Sequence, residues 1–227
     1  MKKTILVVAL LIVTFSTTYA QEISFEIPDY NLIKKNIEDK NSNYYYPKLL
    51  ERMIANDTLL TNEDYRHLYF GYVFNSKYDA YFRSPDEEKL KKYLSSDTIA
   101  KKDYDEIIKL AEHSITVFPF DLRQMNYLGY VYHLKGDNVA AIKISNRFQN
   151  ILKAILSSGN GEKCETGFNV ISVSHEYVFL NMFRLESRSQ SLVGDCDYLA
   201  FEKGKYSIDG MYFNIKKMLE NEAKHFK

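Results

Sequence analysis

Apolar residues recur at helical spacing through most of the chain and give way to short β-type runs near its end. Pro28-Asp29 precedes Tyr30, Ile33 and Ile37, an i, i+3, i+7 stripe that predicts a helix capped by the Asp29 carboxylate. A second helix is expected over about 45–55, with Tyr46, Leu49, Leu50 and Met53 on one face and Pro47 near the first turn. Thr61 opens a third, carrying Tyr65, Leu68, Tyr69, Tyr72 and Val73. Residues 77–101 interrupt this rhythm. Within them Ser84-Pro85-Asp86-Glu87 predicts a capping box with Pro at the first helical position, and a short charged helix to about Leu94. Tyr104 is followed by Ile107, Ile108, Ala111, Ile115 and Phe118, which define the most cleanly amphipathic helix of the chain. Met125, Leu128, Gly129 and Tyr132 belong to the next, and Ala141, Ile144, Phe148, Ile151, Leu152 and Ile155 to a last long one.

The helical period stops at Ser157-Ser158-Gly159-Asn160-Gly161, a break that suggests a boundary. Beyond it Phe168-Asn169-Val170-Ile171-Ser172-Val173, Gln190-Ser191-Leu192-Val193, Tyr198-Leu199-Ala200-Phe201 and Met211-Tyr212-Phe213-Asn214-Ile215 read as strands. Ser174 is the expected cap of a short helix from His175, Asp209-Gly210 the expected hairpin turn, and the polar tail after Lys216 the expected final helix. The fold class is therefore α+β: a helical body followed by a small C-terminal antiparallel sheet packed on it.

Part of the body resembles the tetratricopeptide repeat. Pro119, Leu128-Gly129, Tyr132, Gly136-Asp137 and Ala141 follow the spacing of that 34-residue helix pair, with Met125 in place of its Trp and Lys153 in place of its closing Pro. Phe70-Gly71 and Phe74 repeat Leu128-Gly129 and Tyr132, as the first helix of an earlier repeat would. Two repeats do not bury a continuous core alone; about three are needed. The earlier helices and the small sheet are expected to cap the two ends. Ligands of such arrays lie along the face made by first helices. The register puts Arg123, Asn126, Tyr130 and His133 there from one repeat, and Tyr65, Leu68, Tyr72 and Asn75 from the other. This mixed aromatic and polar row suits an extended peptide, although the 77–101 insertion departs from the repeat and could cover it.

The chain begins as an export signal does: Lys2 and Lys3, an apolar run over 5–15, then Ser16-Thr17-Thr18-Tyr19-Ala20. The run is shorter than the roughly 20 residues that span a bilayer. Cleavage after Ala20 would leave Gln21 first, in a protein exported to the periplasm or beyond. The expected organisation is thus a signal peptide over 1–20, a helical region over 21–156 with its insertion at 77–101, and a β-rich region over 157–227. Loss of two lysines from 30 basic residues leaves 28 against 30 acidic ones. Such a balance gives no electrostatic footprint for nucleic acid or an anionic membrane. Nineteen Tyr and fourteen Phe accompany no Trp, which mildly disfavours a sugar-binding platform. The pair Cys164 and Cys196 suggests a disulfide in an exported chain, two separate buried thiols being the other reading.

Chemistry in the motifs is sparse. No two of His67, His113, His133, His175 and His225 have zinc-protease spacing: His175-Glu176 starts that motif, but Phe179 stands where the second His belongs. The glycines at 159 and 161 lack a phosphate loop's spacing, and neither a metal nor another cofactor is expected. Cys164 with His175 specifies nothing without geometry. Paired acids such as Asp195 and Asp197 read as a turn, and Tyr44-Tyr45-Tyr46 more readily as core than as a stacking platform.

The stretches Tyr44-Tyr45-Tyr46-Pro47-Lys48-Leu49-Leu50-Glu51-Arg52, Asp64-Tyr65-Arg66-His67-Leu68-Tyr69-Phe70-Gly71-Tyr72 and Gln190-Ser191-Leu192-Val193 resemble an exported bacterial family known only as a domain of unknown function. The resemblance covers most of the chain and implies helices and sheet in one unit, with no catalytic residues to carry over. The expected role is a non-enzymatic scaffold binding a protein or peptide of the cell envelope. The alternative is an envelope hydrolase or transferase, its site between helices and sheet around His175, Glu176 and Asp197.

Overall fold

A computed structural model describes residues 24–94 and 98–225. The signal expected over 1–20 lies outside these described residues. Helix α1 (Tyr30–Glu38) is capped by Asp29, whose carboxylate accepts from the amides of Asn31 and Leu32 at 3.0 Å. Helix α2 (Tyr46–Ile54) carries Pro47 in its first turn, where the missing amide hydrogen leaves no bond unmade. Helix α3 (Asn62–Gly71) opens on a reciprocal box: Thr61 Oγ1 accepts from the Asp64 amide at 3.2 Å, and Asp64 Oδ2 accepts from the Thr61 amide at 2.8 Å. Every residue from Asp64 to Gly71 is buried, because α1, α2 and the later helix Asn138–Leu156 all pack around this helix. Gly71 permits the closest approach: a Cβ there would lie 3.1 Å from Ile37 Cδ1.

The insertion contains helix α4 (Glu87–Leu94). It begins two residues later than the capping-box reading implies. Asp86 turns inward to His113, at 2.5 Å, rather than lying within the helix. Then come α5 (Tyr104–Val117), α6 (Leu122–Lys135) and α7 (Asn138–Leu156), each packed on the next. Asp121 and Asp137 cap α6 and α7 through the amides of Gln124 (3.1 Å) and Ala140 (3.0 Å). Between them the chain reverses at Gly136 with φ +87°, a left-handed conformation glycine adopts without strain. The repeat register would place Gly129 against α5, beside Tyr104, Ile108 and Ala111. It faces α7 instead, where a Cβ would lie 3.0 Å from Ser145 Oγ and 3.2 Å from Ile144 Cγ2.

The C-terminal part is a four-stranded sheet: β1 (Phe168–Asn169), β2 (Ser187–Val193), β3 (Cys196–Phe201) and β4 (Gly210–Asn214), in the order β1-β4-β3-β2. The β2–β3 and β3–β4 pairs are antiparallel, but β1 runs parallel to β4 with Phe168 opposite Phe213, so the sheet is mixed. The parallel pair exists because helix α8 (Val173–Met182) follows β1 and carries the chain away before β2 begins. Ser172, not Ser174, occupies the cap position of α8. The tight hairpin is at Gly194-Asp195, with Val193 paired to Cys196. Gly210 instead opens β4 after a longer connection; a Cβ there would collide with the Tyr198 ring, and that packing accounts for the glycine. Helix α9 (Lys216–His225) follows β4, with Met218 fully buried.

One hydrophobic cluster runs from Ile33 on α1 to Met218 on α9 and includes Phe168, Phe179 and Phe213. The 157–161 break is accordingly a packed junction. Ser158 is fully buried and its Oγ accepts from the Asn169 amide at 2.8 Å, fastening β1 to the end of α7. Buried Arg66 donates to Ser157 Oγ and to the Glu26 carbonyl, both at 2.8 Å, tying the first described residues to that junction. Cys164 and Cys196 are joined, with Cα atoms 5.6 Å apart, linking a short turn to the start of β3.

Candidate functional site

Helix α8 enters the molecule between α6 and the sheet, and every residue singled out between helices and sheet lies on it or against it. His175 is fully buried. Its Nε2 lies 2.9 Å from the Phe120 carbonyl, which can only accept, so Nε2 carries the hydrogen. Nδ1 is then an acceptor for the Tyr69 hydroxyl at 2.7 Å, and that oxygen in turn accepts from the Ile171 amide at 3.3 Å. Burial holds the imidazole pKa down at about 3, despite the carbonyl that favours its charged form. Both nitrogens are occupied by the scaffold. His175 joins α3, the α5–α6 turn and α8; it has no ring nitrogen left for substrate.

Glu176 shows the opposite shift. It has no exposed surface, and neither carboxyl oxygen has an N–H or O–H donor among the described residues. Its hydrogen-bonding neighbour is the Asp197 carboxylate on β3. Two carboxylates cannot share a hydrogen bond without a proton, so Glu176 carries it; burial, then the charge of Asp197, pushes its pKa up to about 9. Asp197 Oδ2 also accepts from Gln190 Nε2 at 2.7 Å, and Gln190 Oε1 accepts from the Tyr177 hydroxyl at 2.6 Å. A hydrogen-bonded chain thus leads from this carboxyl pair to Tyr177, on the outer side of α8.

Tyr177 belongs to the walls of two adjoining cavities. The first, about 330 Å³, lies where residues 80–84 of the insertion meet Phe118, the start of α6 and the N-terminus of α8. Two arginines (Arg83, Arg123) and two acids (Glu87, Asp121) line it together with Gln124, Ser172 and Ser174, and Phe82 and Phe118 are among its aromatic walls. The second, about 250 Å³, runs between α6 and α8 along Arg123, Asn126, Val178, Asn181 and Met182. Arg123 and Tyr177 line both, so the second cavity, a groove between α6 and α8, adjoins the first across these two side chains.

The eight residues expected on a single peptide-binding face are divided by the structure. Arg123, Asn126, Tyr130 and His133 lie along the exposed side of α6, Tyr130 being 53 % exposed. Tyr65, Leu68 and Tyr72 are core, and Asn75 is half-buried at the turn after α3. The physical reason is the packing of α1, α2 and α7 around α3, which leaves it no solvent face. Arg83, Gln124 and Tyr177 escaped the sequence reading because three distant segments contribute them and none lies in a motif. Among the described residues no three His, Cys, Asp or Glu side chains gather as a metal site would require, and no helix is long and apolar enough to cross a membrane.

A family model matches residues 31–224. The chain belongs to the DUF4919 family, a domain of unknown function. The match runs from α1 into α9, so helices, groove and sheet all fall within the family's unit. No curated protein and no solved structure matches the chain.

Proposed function

We propose that this DUF4919 protein is an exported, non-catalytic scaffold that binds an extended peptide or protein segment in the groove between α6 and α8. The observation that carries the reading is the pair of neighbouring cavities that share Arg123 and Tyr177, beside the exposed row of Asn126, Tyr130 and His133. Peptide recognition of this kind uses a concave surface with aromatic contact area and a few placed polar groups. The tetratricopeptide-like register supports it: Gly129 closes on Ala141 and Ile144, so the small residues of that pattern meet across the α6–α7 pair. Export rests on the basic, apolar and small-residue order of residues 1–20. Binding to an octapeptide array, compared between the native chain and Asn126→Trp, tests the groove. The tryptophan fills the groove floor, and binding is expected to fall at least tenfold; unchanged binding, or no peptide bound by the native chain, would refute the reading.

The alternative, a hydrolase or transferase around His175, Glu176 and Asp197, draws support from the shifted Glu176 carboxyl, since such shifts gather at functional sites. Against it, Glu176 has no exposed atom to offer a substrate and His175 has both nitrogens engaged. A buried hydrogen-bonded network accounts for both residues.

A further inference from the structure

The N-terminus of helix α8 opens into the larger of the two cavities, beside the start of α6. Its first amides point out of the helix, and no side chain caps them. A helix N-terminus favours negative charge. Two arginines stand in the same wall. Arg123 shares its charge with Glu87, 3.8 Å away, while Arg83 makes no carboxylate pair among the described residues. The buried Asp121 carboxylate is already engaged with Ser114 Oγ at 2.6 Å and the Gln124 amide.

A second feature asks for a different partner. Gln124 lines the cavity and is only 3 % exposed, yet its Oε1 has no hydrogen-bond donor among the described residues. An unpartnered buried acceptor is unfavourable, and a ligand N–H would relieve it. The wall therefore calls for an anion and an N–H donor close together, with apolar atoms against Phe82 and Phe118. The terminal residue of a peptide carries both groups on one α-carbon. At about 330 Å³ the cavity is near the lower limit of ligand pockets, room for one such residue, and the α6–α8 groove adjoins it, where the residues that precede would lie.

We propose that the cavity at the start of α8 binds the free C-terminal carboxylate of the peptide, with Arg83 and Arg123 as its charged partners and Gln124 Oε1 accepting the terminal N–H. This rests on the groove reading above and names the end of the ligand that reading accommodates. A free amino acid offers the same two groups, but leaves the α6–α8 groove unused.

The test uses the full-length chain and two octapeptide arrays of identical random composition, one with free C-terminal carboxylates and one amidated. Charge-assisted hydrogen bonds of this kind correspond to about tenfold or more in affinity. Free-acid peptides are expected to bind at least tenfold more tightly than their amides. Arg83→Gln and Arg123→Gln should each shrink that difference, and the double variant should bind the two arrays alike; both side chains are exposed, so the fold is not at stake. Equal binding of the two arrays, or a preference that survives the double variant, overturns the carboxylate site but keeps the groove. Binding of neither array overturns the groove and the site together. Free leucine competing as well as the peptides would overturn the peptide terminus in favour of an amino-acid site.

Discussion

Two adjacent residues of α8, His175 and Glu176, are both fully buried and shifted in opposite directions. Glu176 has its pKa raised from 4.5 to about 9, so the stability tied to its neutral form is complete below pH 4.5 and drains away as pH rises through about 9. His175, lowered from 6.5 to about 3, behaves the other way: its share is complete above pH 6.5 and is lost as pH falls toward 3. Glu176→Gln keeps the shape and an N–H donor but cannot ionise. Urea unfolding between pH 5 and 9 should show the variant gaining on the native chain, at a slope of no more than about 1.4 kcal/mol per pH unit. Parallel stability curves would mean that Glu176 is not held neutral. Gly129 gives a second test at this scale. Leucine there must enter the space occupied by Ile144 and Ser145, an overpacking expected to destabilise by about 1–3 kcal/mol. Tyr130→Ala, on the exposed side of the same helix, should stay within about 0.5 kcal/mol. A rise in melting temperature for Gly129→Leu would contradict the α6–α7 contact.

Among the elements, the short strand β1 and the turn before it show how little pairing holds the sheet to the body. β1 pairs over only two residues, and its other fastenings are Ser158, Asn169 and the Cys164–Cys196 link. The two cysteines are 32 residues apart. On loop entropy alone, removal of the link by a double Cys164→Ala, Cys196→Ala change should lower stability by about 3–4 kcal/mol. Non-reducing peptide mapping of the native protein should find the two peptides joined; free thiols at both positions would remove the basis of that figure. Short β-branched and aromatic runs located the four strands, but not the direction of β1 nor its end at Asn169, since Val173 already belongs to α8. Nothing local to Phe168-Asn169 separates a parallel neighbour from an antiparallel one. The intervening α8 does, by moving the chain across the sheet before β2.

For the whole molecule, one cluster shared by α1, α3, α7, the sheet and α9 predicts unfolding in a single transition. Tyrosine fluorescence and far-ultraviolet circular dichroism should give the same urea midpoint. Two midpoints would mean that helices and sheet unfold as separate domains across residues 157–161. The export proposal belongs to this scale too. Mass spectrometry of the protein recovered from the envelope or medium should find Gln21 first, and an intact Met1 there would refute cleavage.

The sequence by itself determined the elements. Helical spacing, Asp and Thr caps and β-branched runs act over a few residues, so α1–α9 and the strands were legible one at a time. The resemblance to a tetratricopeptide repeat also picked out Arg123, Asn126, Tyr130 and His133, and all four lie on one exposed face of α6. Tertiary structure decided which faces survive. Tyr65, Leu68 and Tyr72 have the same spacing as the α6 row, yet three helices close over them. The groove was likewise invisible beforehand, since Arg83, Gln124 and Tyr177 meet only when the insertion, α6 and α8 converge. Local periodicity reports what one helix can present; burial and convergence depend on every other segment that packs against it.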